Sequence, residues 1–201
     1  MTDVNEERPR LFYDPNSLSS FNGYRIVHTH FDLNVDFDSK ILDGHVRFDI
    51  QTLDNQSCDC SSSITTENHE IPNNHGNKLV LDSNHLNIKR VQLQSVDHPK
   101  SLAFQVDSER QTLIIDLNET SLDRRFSLLI SYSTSSTQCT ALQWLTKEQT
   151  ADRQYPYMFS QCQAIHARSL YPCQDTPGVK STYSAKITCP KPLTVVRRKI
   201  K

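Results

Sequence analysis

The sequence predicts an all-β protein built from antiparallel hairpins, and three observations lead to that class. Apolar and polar residues alternate with a period of two in one run after another along the 201 residues, which is the pattern of strands with one buried face. About eight such runs follow one another at short spacing, as in folds made of meandering hairpins. No apolar pattern of helical period continues for three turns.

The first two predicted strands flank a candidate turn. The first strand carries apolar side chains at every second position, at Phe31, Leu33, Val35 and Phe37. The second strand does the same at Val46, Phe48 and Ile50. Asp43-Gly44 lies between them and is a dipeptide typical of tight hairpin turns, so the two runs are predicted to form a hairpin that turns there.

The remaining predicted strands follow the same rule of alternation. Their apolar positions are Leu86 and Ile88; Val91 and Leu93; Leu102, Phe104 and Val106; Leu113, Ile115 and Leu117; Phe126, Leu128, Ile130 and Tyr132; and a last strand fits Thr182–Thr188. These runs together predict enough apolar surface for one β-domain, despite an apolar fraction of only 36%.

Composition divides the chain into four parts. Residues 1–20 form a polar N-terminal tail, residues 21–194 form the β-domain, and residues 195–201 form a basic tail. Inside the domain, residues 55–78 are rich in Ser, Thr, Asn and His and nearly free of apolar residues. A segment of that composition buries too little surface to offset its ordering entropy, so we expect a disordered insertion between two strands.

Charge and hydropathy exclude several classes of binding partner and several cellular locations. The net charge is -1, so neither nucleic acid nor an anionic membrane is an expected partner. No apolar run approaches the ~20 residues that a transmembrane helix needs. The polar N-terminus has no apolar core of a signal peptide. We therefore expect a cytoplasmic protein in which the six cysteines are free thiols.

A metal site is not expected in this chain. Cys58, Cys60, His69 and His75 fall within the insertion, but their spacing matches no zinc finger. The segment from His69 to His75 is two residues too long for H-E-x-x-H, and Pro72 prevents the helix that this motif requires. The sequence thus predicts no metal ligand and no cofactor.

The densest cluster of functional residue types runs from Gln161 to Pro177. Its first half is Q-C-Q-A-I-H, and its second half contains R-x-x-x-P-C-x-D-x-P. Glutamine amides can donate and accept hydrogen bonds at the wall of a cleft. Cys162 is a poor candidate nucleophile, because the nearby His166 has no recognisable partner to orient it.

This segment resembles the amino-terminal domain of the aminopeptidase N-type zinc metallopeptidases, and the tight Q-C-Q-A-I-H form resembles the leukotriene A4 hydrolase branch. Two preceding segments share that resemblance: A-L-Q-W-L-T-K-E-Q-T at residues 141–150 and Y-P-Y-M-F-S at residues 155–160. The resemblance implies a saddle-like assembly of mixed and antiparallel sheets. It also implies a truncated form, because the catalytic domain with its H-E-x-x-H zinc ligands is absent from this chain.

The resemblance implies a role for each part of the motif. Residues expected to line the wall that binds the amino end of a peptide substrate are Gln161, Cys162, Gln163 and Ala164. Residues expected to hold the loops of the motif together, with the prolines fixing backbone angles, are Arg168, Pro172, Asp175 and Pro177. Zinc is expected only in the parent family, bound by the missing catalytic domain, which would be a partner of this one.

Two functions follow as alternatives. The first is the non-catalytic amino-terminal domain of a leukotriene A4 hydrolase-like zinc aminopeptidase and epoxide hydrolase, inactive on its own. The second is a free-standing β-domain that binds peptides or a protein partner without catalysis. The two differ in whether an H-E-x-x-H domain accompanies this chain.

Overall fold

The computed structural model describes residues 14–21, 23–53, 77–95, 98–118 and 122–196 of the chain. These residues contain eleven strands and two single-turn 3₁₀ helices, at Lys147–Gln149 and Ala167–Ser169. The strands are β1 (Tyr24–Asp36), β2 (Ile41–Thr52), β3 (Lys78–Asp82), β4 (Asn87–Gln94), β5 (Lys100–Ser101), β6 (Phe104–Asp107), β7 (Thr112–Asp116), β8 (Arg125–Ser133), β9 (Leu142–Leu145), β10 (Tyr157–Ser160) and β11 (Thr182–Thr188).

The strands form three sheets, which confirms the predicted all-β class. The largest sheet has six strands in the order β11-β1-β2-β8-β4-β5. It is mixed, because β11 runs parallel to β1 while its other pairs are antiparallel. A three-stranded antiparallel sheet has the order β3-β7-β6, and a two-stranded sheet is the β9–β10 hairpin.

The core lies on one face of the six-stranded sheet. Alternation places the apolar side chains of β2 and β8 on that face, and the three-stranded sheet contributes to the same buried cluster. Its fully buried members include Val46, Phe48, Ile50, Leu79, Leu81, Leu113, Ile115, Leu128, Ile130 and Tyr132. The opposite face is polar, with His45, Arg47 and Asp49 of β2 only partly covered or exposed.

The hairpin between β1 and β2 turns earlier than the sequence predicted, so the prediction of a turn at Asp43-Gly44 is wrong. The chain turns at residues 37–40, where the Asp36 carboxylate accepts hydrogen bonds from the backbone N–H groups of Asp38 (2.9 Å) and Ser39 (3.0 Å). Lys40 adopts the left-handed conformation with φ of 55°. A side-chain cap on the backbone thus replaces the glycine turn.

Gly44 has a different role from the one predicted. It lies inside β2 opposite Leu33, with φ of 154°. A Cβ at this position would collide with the backbone carbonyl oxygen of Asp32. The glycine therefore permits a close approach of two backbones within the sheet rather than a reversal of the chain.

Several element boundaries also differ from the prediction. The separate runs at Leu86–Ile88 and Val91–Leu93 belong largely to one strand, β4, which contains an irregularity between Ile88 and Arg90. Strands β3, β9 and β10 were not predicted by alternation. The last strand, β11, has the predicted bounds Thr182–Thr188.

The predicted tails and insertion fall partly outside the described residues. Residues 55–76 of the insertion lie outside them, whereas Asn77 accepts a backbone hydrogen bond from Leu117 (2.7 Å) and Lys78 begins β3. Within the polar N-terminal segment, Ser17 and Ser19 are buried, and the N–H of Ser20 donates to the Val80 carbonyl (2.9 Å). Residues 14–20 thus pack against β3.

Candidate functional site

The β9–β10 hairpin presents one partly buried and one exposed face. Paired residues of an antiparallel hairpin share a face, so Trp144 and Met158 lie together and pack against the core. The Trp144 ring meets Phe37 edge to face, with centroids 5.4 Å apart. This contact anchors the only tryptophan of the sequence on the end of β1 and its turn.

The other face of the hairpin exposes two aromatic rings. Tyr157 and Phe159 alternate along β10, and their ring centroids lie 6.1 Å apart. Their exposed fractions are 55% and 40%, which is unusual for neighbouring aromatic side chains. An apolar, solvent-facing surface therefore leads along β10 to the residue that follows it, Gln161.

The four predicted wall residues lie together in the loop that leaves β10. Gln161, Gln163 and Ala164 are exposed, whereas Cys162 is half-buried. The peptide bond between Gln163 and Ala164 is cis. Within the described part of the chain, neither glutamine side-chain amide is bonded to a protein group. Two amides with free donors and acceptors, separated by Cys162 in the sequence, are therefore exposed to solvent.

Cys162 lacks the environment of a nucleophile. Burial raises the pKa of its thiol, and the charges of Asp175 and the Cys139 thiol act in the same direction. The nearby His166 does not face it through its Nδ1 atom, which lies 2.8 Å from the hydroxyl of Thr140. A protonated thiol without a base nearby packs as a small apolar group.

The second half of the motif is buried and centred on Arg168. The Arg168 Nε atom lies 3.0 Å from the carboxylate of Asp175, and Nη1 lies 3.9 Å from that of Asp82. Nη2 donates to the backbone carbonyl of Asn16 (2.7 Å). One guanidinium therefore joins the motif, the end of β3 and the N-terminal segment.

Asp82 completes this buried cluster, and sequence reasoning did not assign it a role. Its carboxylate accepts hydrogen bonds from the Ser17 hydroxyl and from the backbone N–H groups of Leu18 (3.1 Å) and Asp175 (3.0 Å). Its backbone pairs with Cys173 through two hydrogen bonds of 2.8 and 3.0 Å. The signal in the sequence was a single acidic residue that ends an apolar run, Leu79-Val80-Leu81.

Residues around Pro172 and Pro177 bind this loop to β1. Gln174 lies between the two prolines and is buried. Its amide oxygen accepts from the N–H of Ile26 (3.0 Å), and its amide nitrogen donates to the carbonyl of Tyr24 (2.7 Å). Gln174 therefore continues the hydrogen bonding of β1 with a side chain, a role that the sequence did not reveal.

Cys173 lies buried between the two prolines of the motif. The thiol is almost inaccessible, and burial raises its pKa well above the ordinary value. Cys139, Cys162, Cys173 and Cys189 are all free thiols. Cys58 and Cys60 lie outside the described residues.

The described residues offer no group of three His, Cys, Asp or Glu side chains that could hold a metal ion. The histidines and cysteines of the insertion lie outside this part of the chain. Nor does the described part contain a helix long and apolar enough to cross a membrane.

Comparison with known proteins gives consistent matches over most of the chain. Residues 24–197 match the model of the Peptidase M1 N-terminal domain. Leucine aminopeptidase 2 of Coccidioides immitis is 38% identical over 181 residues, which cover 90% of this chain and 26% of that protein. A leukotriene A4 hydrolase homolog of Botryotinia fuckeliana is 36% identical, with 90% and 25% covered.

A solved structure shows the same arrangement of strands. The structure of yeast LTA4 hydrolase in complex with bestatin superposes with a TM-score of 0.71 at 35% identity, covering 92% of this chain and 26% of the yeast chain. The present chain thus spans about a quarter of the length of the relatives it matches. The family match, the sequence identity and the shared fold together show that this chain belongs to the Peptidase M1 N-terminal domain family.

Proposed function

We propose that this domain forms the peptide-binding wall of an aminopeptidase cleft, with Gln161 to Ala164 facing the amino end of the substrate. The observation that supports this most directly is the exposed loop itself, in which two glutamine amides have no protein partner among the described residues. Such amides satisfy the backbone groups of an extended peptide without needing a particular side chain. Cys162 and Ala164 would contribute packing to the same wall.

The proposal includes a second partner, a catalytic domain of the kind that the family resemblance implies. The exposed rings of Tyr157 and Phe159 adjoin the glutamine loop, and apolar surface of that kind is typically covered by protein. The longer relatives contain about three quarters of their length beyond the part matched here. A cleft between the two domains would thus have the glutamine loop at its edge.

Zinc chemistry belongs to that second domain in the proposal. A bound zinc ion would polarise the scissile carbonyl and activate water there. The described residues of this chain provide no ligand set for it. We therefore expect the purified 201-residue chain to show no turnover of an aminoacyl anilide and no stoichiometric zinc in metal analysis; one tightly held zinc with turnover would contradict this.

The cytoplasm is the proposed location. Four described cysteines are free thiols, which suits a reducing compartment. Fractionation of cells that produce the natural protein, followed by detection with an antibody, tests this directly, and recovery from the secreted fraction would overturn it.

The wall function is best tested in a chimera. Residues 24–196 of this chain would replace the matching quarter of yeast LTA4 hydrolase. Gln163→Leu removes the amide at nearly constant volume, so we expect the specificity constant for peptides to fall about ten- to a hundredfold. The control is Gln105→Leu at an exposed position of β6, which should leave the kinetics unchanged.

The outcome also separates the two alternatives. Unchanged peptide kinetics of the Gln163→Leu chimera would contradict the wall function. Micromolar binding of a free peptide by the 201-residue chain alone, lost in Gln163→Leu, would instead favour a free-standing peptide-binding domain.

A further inference from the structure

The loop that contains the proposed wall residues is anchored at both ends on one buried residue, Ala141. The Ala141 carbonyl accepts from the N–H of Gln161 (2.8 Å), where the loop begins. The Ala141 N–H donates to the hydroxyl of Ser169 (3.0 Å), just after the loop ends. Both Ala141 and Ser169 are completely buried. We call Gln161 to His166 the site loop. The chain is therefore hydrogen-bonded to Ala141, the residue before β9, both where this loop begins and shortly after it ends.

The hydroxyl of Ser169 donates to a backbone carbonyl at the end of the site loop. It lies 2.8 Å from the carbonyl of His166, which can only accept, so the hydroxyl donates there. Towards the N–H of Ala141 and the hydroxyl of Thr140 (3.2 Å), Ser169 must then accept. An arrangement in which all of these contacts are hydrogen bonds then has the Thr140 hydroxyl donating to Ser169.

This arrangement of hydrogen bonds assigns the tautomer of His166. With its proton given to Ser169, Thr140 can only accept from the His166 Nδ1 atom, which lies 2.8 Å away. In this arrangement the neutral imidazole carries its proton on Nδ1 and has a lone pair on Nε2. Since the His166 N–H also donates to the Cys162 carbonyl (3.0 Å), the ring and backbone of His166 hold the far end of the site loop.

We propose that Ser169 and Thr140 are positioning residues of the peptide-binding wall, and this rests on the function proposed above. They contact no substrate. Their hydroxyls hold His166 in one tautomer and close the site loop on Ala141, so that Gln163 is presented in one orientation. A wall residue that is free to move loses binding strength because the substrate must then order it.

The first test uses the 201-residue chain and reads the tautomer directly by nitrogen NMR of the imidazole. In the wild type, the neutral His166 ring should be protonated on Nδ1. Thr140→Val removes one hydroxyl at an exposed position and should release the Nε2-protonated form, while Thr140→Ser should restore the wild-type spectrum. Ser184→Ala, on β11, removes a serine that hydrogen-bonds His28 and His30 of β1 and should leave His166 unchanged.

The second test uses the chimera and peptide kinetics. Thr140→Val and Ser169→Ala should each raise KM about tenfold with kcat within about twofold, because a wall contact acts on bound substrate and transition state alike. Thr140→Ser should restore KM, which distinguishes a positioning effect from a loss of folding.

Three results would overturn the inference. A wild-type His166 protonated on Nε2 in its neutral form contradicts the assigned hydrogen-bond direction. If Gln163→Leu raises KM but Thr140→Val and Ser169→Ala do not, the wall function stands and the positioning role fails. If the tautomer responds but none of the three variants changes KM, the wall function itself fails, and the positioning role with it.

Discussion

The two halves of the Gln161–Pro177 motif are built for opposite purposes. The first half, Gln161–Ala164, is an exposed loop whose glutamine amides have no protein partner in the described part of the chain. The second half, Arg168–Pro177, is largely buried up to Thr176, and nearly every polar group named in it is hydrogen-bonded within the motif or to another segment. One dense sequence motif therefore contains two kinds of structure. The first half is a solvent-exposed loop, and the second half is a buried segment whose hydrogen bonds attach that loop to the rest of the domain.

The largest loss of stability is expected for Arg168→Met. It leaves the carboxylates of Asp82 and Asp175 buried without their cation, and breaking such a pair typically costs about 3–5 kcal/mol. We expect the free energy of unfolding, measured with urea, to fall by that amount. The control is Arg47→Met at a half-exposed pair with Asp49 (3.8 Å), where about 0–1 kcal/mol is expected. Equal losses of free energy at the two sites would show that the buried cluster contributes no more to stability than a half-exposed ion pair.

One substitution made in both halves sharpens the comparison. Gln174→Leu leaves the N–H of Ile26 and the carbonyl of Tyr24 without their partner, so the free energy of unfolding should fall by about 1–3 kcal/mol. Gln163→Leu, on the exposed side, should change it by less than about 0.5 kcal/mol. Thermal melting of the two variants beside the wild type decides this, and a larger loss for Gln163→Leu would reverse the assignment of the halves.

The reactivity of one cysteine in each half tests the same contrast, with a smaller expected effect. Burial raises the pKa of both thiols, so less thiolate is present at pH 8 than in a free thiol. Iodoacetamide should therefore modify half-buried Cys162 more slowly than glutathione, and Cys173 only after unfolding. A time course by mass spectrometry measures both rates. Modification of Cys162 faster than glutathione would indicate an activated thiol and contradict its packing role.

The smallest effect is expected at the edge of the buried half, at Asp14. A hydrogen bond from Thr176 is the main cause that lowers the Asp14 pKa in the folded protein. A lowered pKa stabilises the fold above the unfolded value of 3.8, and this contribution is lost as pH falls through the folded value. Because Asp14 is largely solvated, Asp14→Ala should cost only about 0.5 kcal/mol at pH 7.

Urea unfolding at a series of pH values checks this linkage. The stability difference between wild type and Asp14→Ala should disappear at low pH, where the carboxyl is protonated in both states. A difference that persists or grows on acidification would show that Asp14 acts through packing rather than charge.

Alternation predicted most of the large sheet because its strands bury one face and expose the other. It gave β2 and β8 through Val46, Phe48, Leu128 and Ile130, which are all buried. It failed at Asp43-Gly44, because the glycine serves a contact between backbones that only the paired strands reveal. It also missed β10, whose exposed Tyr157 and Phe159 break the rule that apolar residues are inside.

The candidate site was predictable only in part. The resemblance grouped Gln161 to Ala164, and the structure places them in one loop. Asp82 and Gln174 could not be found, because each gains its role from residues about 65 to 150 positions away in the chain. The contributions of Thr140 and Ser169 depend on hydrogen-bond directions, which no pattern of residue types encodes.

The parallel pairing of β11 with β1 has a consequence for synthesis on the ribosome. His28 and Thr182 are neighbours in the sheet but 154 residues apart in sequence, a contact of very high sequence separation, which slows folding. The β1–β2 hairpin is translated first, and the edge of β1 that pairs with β11 stays without a partner strand until β11 has emerged. That nascent edge is therefore the part of the domain with the longest exposure to chaperones and to mispairing with other chains.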